Sequence, residues 1–181
     1  MFGSNHAVAA ISSTSSLTSL IVKLFLGLSV GANVLMARCF GQNNQEKGQK
    51  VVYTSMVFSL IVGIVVGLFG FFMSTTFLKL MDTPSDVIDL SSTYLKIYFL
   101  GLPFLMLYNF GSSILRATGD TKRPFYYLTI SGVFNILLNL LFVIVFKMDV
   151  AGVAISTVIS QAISATLIVI SLFKLKETFV F

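Results

Sequence analysis

The chain has 181 residues, 56% of them hydrophobic and 10% charged, with 12 basic against 7 acidic side chains and a mean hydropathy of +0.93. A water-soluble domain carries roughly 25% charged residues, so charge this sparse excludes a soluble globular body, and a single cysteine offers no disulfide framework in compensation. The net charge of +5 would suit nucleic acid only as a basic stripe on a soluble fold; here the basic residues cluster between long apolar runs, so the solvent is a lipid bilayer and no nucleic-acid partner is expected.

Five apolar runs follow in chain order, at 7–37, 51–78, 97–115, 124–146 and 150–173, and they hold a single charge, Lys23. A helix rises 1.5 Å per residue and needs about 20 residues to cross the hydrocarbon. Each run is about that long or longer. Stretches such as 60–72 and 136–146 are apolar on every face, whereas a membrane β-barrel shows period-two alternation in segments of about 10 residues. The expected fold is therefore all-α, a polytopic membrane helix bundle of five transmembrane helices at about 7–37, 51–78, 91–115, 124–146 and 150–173.

The intervening loops alternate in charge. Residues 38–50 carry Arg38, Lys47 and Lys50, residues 79–96 are acidic at Asp82, Asp86 and Asp89, and 116–123 carry Arg116, Lys122 and Arg123. A neutral turn at 147–149 follows, and Lys174 and Lys176 come after the last run. Placing the basic loops in the cytoplasm puts eight of the twelve Lys and Arg side chains inside. The N-terminus is then outside and the C-terminus cytoplasmic, in a multi-pass protein of the cell membrane. A first helix that enters from outside, without a basic leader and weakened by serines and Lys23, predicts a further helix upstream of Met1. The sequence thus reads as a fragment.

Several residues within the runs invite a role. Gly27 with Gly31 and Gly63 with Gly67 lie four apart, a spacing that lets helix backbones approach closely. Pro103 removes a backbone donor and predicts a kink in the third helix. Lys23, the one intramembrane charge, is either functional, or snorkels to the interface along its four-carbon stem, or marks a helix shifted in the bilayer. In the fourth helix Asn135 and Asn139 share one face. With that helix running outward, Asn139 falls about 10 Å below its outer end, and Thr157 of the returning helix falls at a similar depth. Tyr94, near the outer start of the third helix, reaches the same layer. Tyr94, Asn139 and Thr157 either converge on a polar spot in the outer half, with Asn135 one turn deeper, or these residues serve only as interhelical hydrogen bonds.

Other chemistries lack material. His6 is the only histidine and Cys39 the only cysteine, so no zinc site or Cys/His pair is expected, no carboxylate lies within a span, and Gly119-Asp120 reads as a turn. No enzyme, metal or cofactor is expected.

The stretches Gly27-Leu-Ser-Val-Gly-Ala-Asn33, Ala37-Arg38 with Phe40-Gly41-Gln42, Gly101-Leu-Pro-Phe104, Ile114-Leu-Arg-Ala-Thr-Gly-Asp-Thr-Lys122 with Arg123-Pro124, Asn135-Ile-Leu-Leu-Asn139 and Gly152-Val-Ala-Ile-Ser-Thr157 resemble the multidrug and toxic compound extrusion transporters. The resemblance runs nearly end to end. It implies two six-helix lobes that expel small organic cations in exchange for sodium or protons, this chain being helices two to six of the first lobe. The partners it implies are a missing first helix, a second lobe and the bilayer. It also implies a first-lobe cation site built from an aspartate on the missing helix and from Asn135, Asn139, Thr157 and Tyr94. Relatives carry an acid where this chain has Asn139, and an amide cannot exchange a proton in the working range, although its carbonyl can help coordinate sodium. Two other readings stand beside efflux: a lipid-linked oligosaccharide flippase of the same superfamily, and a non-transporting membrane scaffold.

Overall fold

In the computed structural model, residues 5–83, 85 and 87–178 are described; Asp86 and the side chains of His6 and Lys176 lie outside the described residues. Six α-helices follow one another: α1 (Asn5–Gly41), α2 (Gln45–Leu80), α3 (Ile88–Leu100), α4 (Leu102–Ala117), α5 (Lys122–Leu140), prolonged by a π-helical turn (Leu141–Val145), and α6 (Asp149–Thr178). No strand occurs among the described residues. The spans of α1, α2, α5 with its π turn, and α6 are each long and apolar enough to cross a bilayer, and α3 and α4 are apolar enough only as a pair, bent by 47° at Gly101, which gives four such spans, or five with the bent pair counted as one.

The kink expected at Pro103 is present, and its residues divide the work. The break itself is Gly101, while Pro103 sits in the first turn of α4, where a helix has no use for its missing N–H. Helices also run past the apolar runs into the loops, because their ends are closed by tight caps. Gly119 N–H donates to Arg116 O and Asp120 N–H to Leu115 O, with Gly119 at φ +87°, the left-handed residue that ends α4. Asn43 and Asp82 take the same conformation after α1 and α2, which short polar side chains tolerate. Asn44 then caps α2 by accepting from Lys47 N–H at 3.0 Å.

The core holds bulky apolar side chains such as Phe25, Leu95 and Phe99, but α2 turns a small-residue face toward it. The buried side of α2 is Ser55, Ser59, Gly63, Gly67, Gly70 and Ser74, while large residues such as Phe72 and Leu68 face outward. In lipid, burying bulk gains nothing, and small residues allow close backbone approach. α4 is the central helix, packed on α1, α2 and α6, with Met106, Phe110, Ile114 and Leu115 buried. α5 packs chiefly on α6, and only Pro124 and Ser131 of it are buried.

The two glycine pairs meet different fates. A Cβ on Gly63 would lie 2.7 Å from Pro103 Cα, and one on Gly67 would lie 2.7 Å from Phe99 O. This pair therefore seats the α3–α4 bend directly on α2. Gly101 meets α6 as closely, its would-be Cβ 2.8 Å from Gln161 Oε1 and from Val158 Cγ2. Gly27 and Gly31 pack against nothing within 4 Å. Within this chain that face meets no other helix: α1 turns Phe25, Ser29, Ala32 and Met36 toward its neighbours, and the glycines lie on the opposite side.

Candidate functional site

Polar groups inside the bundle fall into two clusters. Between α1 and α4, Asn33 Nδ2 donates to Ser113 O at 2.7 Å and Ser113 Oγ donates to Ser29 Oγ at 3.0 Å. One turn on, Arg116 folds back to donate to Ser112 O at 3.2 Å and Ser112 Oγ at 2.9 Å. This cluster is satisfied except for Asn109, whose buried Nδ2 has no partner among the described residues.

The second cluster joins α5 to α6 and contains the amides singled out in the sequence. Asn139 Nδ2 donates to Asn135 Oδ1 at 3.0 Å, and Asn135 Nδ2 donates to Ser160 Oγ at 3.3 Å. Ser160 Oγ in turn donates to Thr157 O at 2.8 Å. Every bond in this chain points the same way, from α5 toward α6. Its starting residue is left with one bare acceptor, Asn139 Oδ1, which is buried and has no partner among the described residues. A buried carbonyl oxygen without a donor is costly, and a hard cation is one species that satisfies it.

The remaining candidates are placed as follows. Thr157 belongs to the same stretch of α6, but its hydroxyl donates to Val153 O at 2.9 Å, so the backbone carbonyl of Thr157, not its side chain, receives the chain of bonds. Tyr94 is half-buried, stacked on Tyr98 with ring centroids 6.3 Å apart and packed near Val150 at the first turn of α6. It makes no hydrogen bond to the amides among the described residues. Lys23 is exposed on α1 beside a shallow recess with Ser16 and Ser19, and α1 makes no extensive packing with α5.

Two residues of the site escaped sequence reasoning. Ser160 is the acceptor that links the helices, and Gln161 beside it presents a buried Oε1 with no partner against the Gly101 bend. The signal available was the four-residue spacing of Ser156, Ser160 and Ser164, all buried. Of the candidate residues Asn135, Asn139, Thr157, Ser160, Gln161 and Tyr94, Tyr94 alone is ionisable. No group of three His, Cys, Asp or Glu residues that could hold a metal occurs among the described residues.

Apolar spans around interior polar clusters define a helical multi-pass membrane protein. The chain belongs to the MatE family, whose profile matches residues 1–141. It is 37% identical over 175 residues to the probable multidrug resistance protein YoeA of Bacillus subtilis (strain 168), covering 94% of this chain and 38% of that one. The probable multidrug resistance protein YpnP of the same strain is 38% identical over 156 residues, covering 86% and 35%. A solved structure described as MATE in the bent conformation matches with a TM-score of 0.91 at 25% identity, over 98% of this chain and 40% of that one. The chain therefore spans well under half the length of the relatives it matches.

Proposed function

We propose that these residues form most of the first lobe of an efflux transporter, helices two to six of twelve, that exports cationic or other toxic organic compounds in antiport with sodium or protons. Asn135, Asn139, Thr157 and Tyr94, joined by Ser160, line its cation or substrate pocket. The N-terminus of the segment lies outside the cell membrane and its C-terminus in the cytoplasm, as the basic loops favour. The observation that carries this reading is the one-way amide chain that leaves Asn139 Oδ1 buried and bare. A scaffold gains nothing from such an oxygen, since an apolar side chain would pack there without the desolvation cost. At this position sodium is the fitting coupling ion, because the amide has no proton to exchange and offers the oxygen that sodium takes.

The test is export from proteoliposomes by the full-length transporter, driven by an imposed sodium or proton gradient. Asn135→Ala and Asn139→Ala should each lower the sodium-driven initial rate about tenfold or more at unchanged protein level, since each removes a ligand or its support. Wild-type rates and coupling in both variants would sink the pocket assignment.

A further inference from the structure

A groove of about 650 Å³ opens between the N-terminal half of α2 and the C-terminal end of α6, floored by Leu107 of α4 and by Met36 and Cys39 of α1. It lies far along the helices from the amide cluster and shares no residue with it. Its polarity changes along its length. At one end the lining is Asn44, Glu46, Gln49 and Lys50; beyond Tyr53 it is apolar, with Val57 and Leu60 facing Leu172. Tyr53 itself is 74% exposed, at the level where an aromatic ring sits between water and hydrocarbon.

The dimensions select an occupant. From Lys50 to Leu60 a helix advances about 15 Å, half of a hydrocarbon core of about 30 Å. The groove is about one leaflet deep and is more polar at its Asn44–Lys50 end than beyond Tyr53. A compact drug does not need that shape; an acyl chain attached to a headgroup does. Charge then sets the headgroup. Glu46 is taken up by Lys50 at 2.6 Å, and the Lys50 hydrogen bond and charge hold its carboxyl below the usual range. Lys47 on the next residue and Arg38 beside Cys39 make no ion pair among the described residues, so the rim keeps a positive excess. Basic pockets between helices at this level bind anionic headgroups.

We propose that this groove binds an anionic phospholipid from the leaflet facing the basic loops, its acyl chain along Val57 and Leu60 and its phosphate at the Lys47–Lys50 rim. The inference depends on the bilayer alone and not on the transport reading. It is tested by native mass spectrometry of the protein released from nanodiscs of equal phosphatidylglycerol and phosphatidylcholine. The wild type should retain phosphatidylglycerol about fivefold over phosphatidylcholine. Lys47→Gln with Lys50→Gln, outside the apolar run, should erase that preference. Val57→Trp, which fills the groove, should lower retention of both lipids severalfold at unchanged helical content. Equal retention of the two lipids by the wild type, retention unchanged in both variants, or a lipid-free dimer with the groove covered by a second copy would overturn it.

Discussion

In the proposed pocket, Asn139 offers one bare oxygen. Its amide nitrogen is committed to Asn135 at 3.0 Å and its carbonyl is buried and bare, so whatever enters must be a donor or a cation. Asn139→Asp restores an exchangeable proton at the same volume, and transport in that variant should become driven by an imposed pH gradient, as measured in proteoliposomes with and without sodium. Unchanged coupling would place the ion elsewhere. Ser160→Ala strands Asn135 Nδ2 and should cost about 0.6–2 kcal/mol of stability, read from unfolding in mixed micelles. The amides were legible in the sequence because a four-residue spacing fixes a shared face. Ser160 was not, since a membrane serine usually returns its hydroxyl to its own helix. This one does so, to Thr157 O, while accepting from α5 as well, and nothing in residue type or spacing records that second bond. Thr157 shows the same limit from the other side, with its depth read from helix rise but its hydroxyl direction set by α6 itself.

At the scale of elements, the α3–α4 bend is held from two sides, by Gly63 and Gly67 of α2 and by Val158 and Gln161 of α6. Gly67→Leu must push against a backbone carbonyl and should cost about 1–3 kcal/mol, whereas Gly27→Leu on the open side of α1 should stay within about 0.5 kcal/mol. Equal losses for the two in denaturant titration would contradict the packing described. Gly119→Ala at φ +87° should cost about 1 kcal/mol through backbone strain alone. Proline announced the bend and Gly-Asp announced the turn, because both act through local backbone geometry. Which glycine pair packs was not readable, because both have the same spacing and only the neighbouring helix distinguishes them. The π turn after α5 left no mark in an evenly apolar run.

For the whole molecule, α4 is enclosed on three sides while α5 rests mainly on α6. Stability should be graded accordingly. Backbone amides of 122–140 should exchange with deuterium before those of 102–117 as detergent is raised, by hydrogen-exchange mass spectrometry. The helical class and the order of the long apolar helices were legible, since hydropathy reports length and environment directly, while the third expected span is the bent α3–α4 pair. Helix adjacency was not, because runs that are apolar on every face carry no stripe to say which side turns inward.

That same evenness governs how the protein fails. With Phe72 and Leu68 on the outside of α2, each helix keeps its backbone hydrogen bonds within itself, so loss of the bilayer does not by itself melt it. Stripped of detergent or lipid, the chain should clump through its rim while its far-ultraviolet circular dichroism stays helical. Turbidity, not ellipticity, is therefore the signal by which its loss of native state will first be seen.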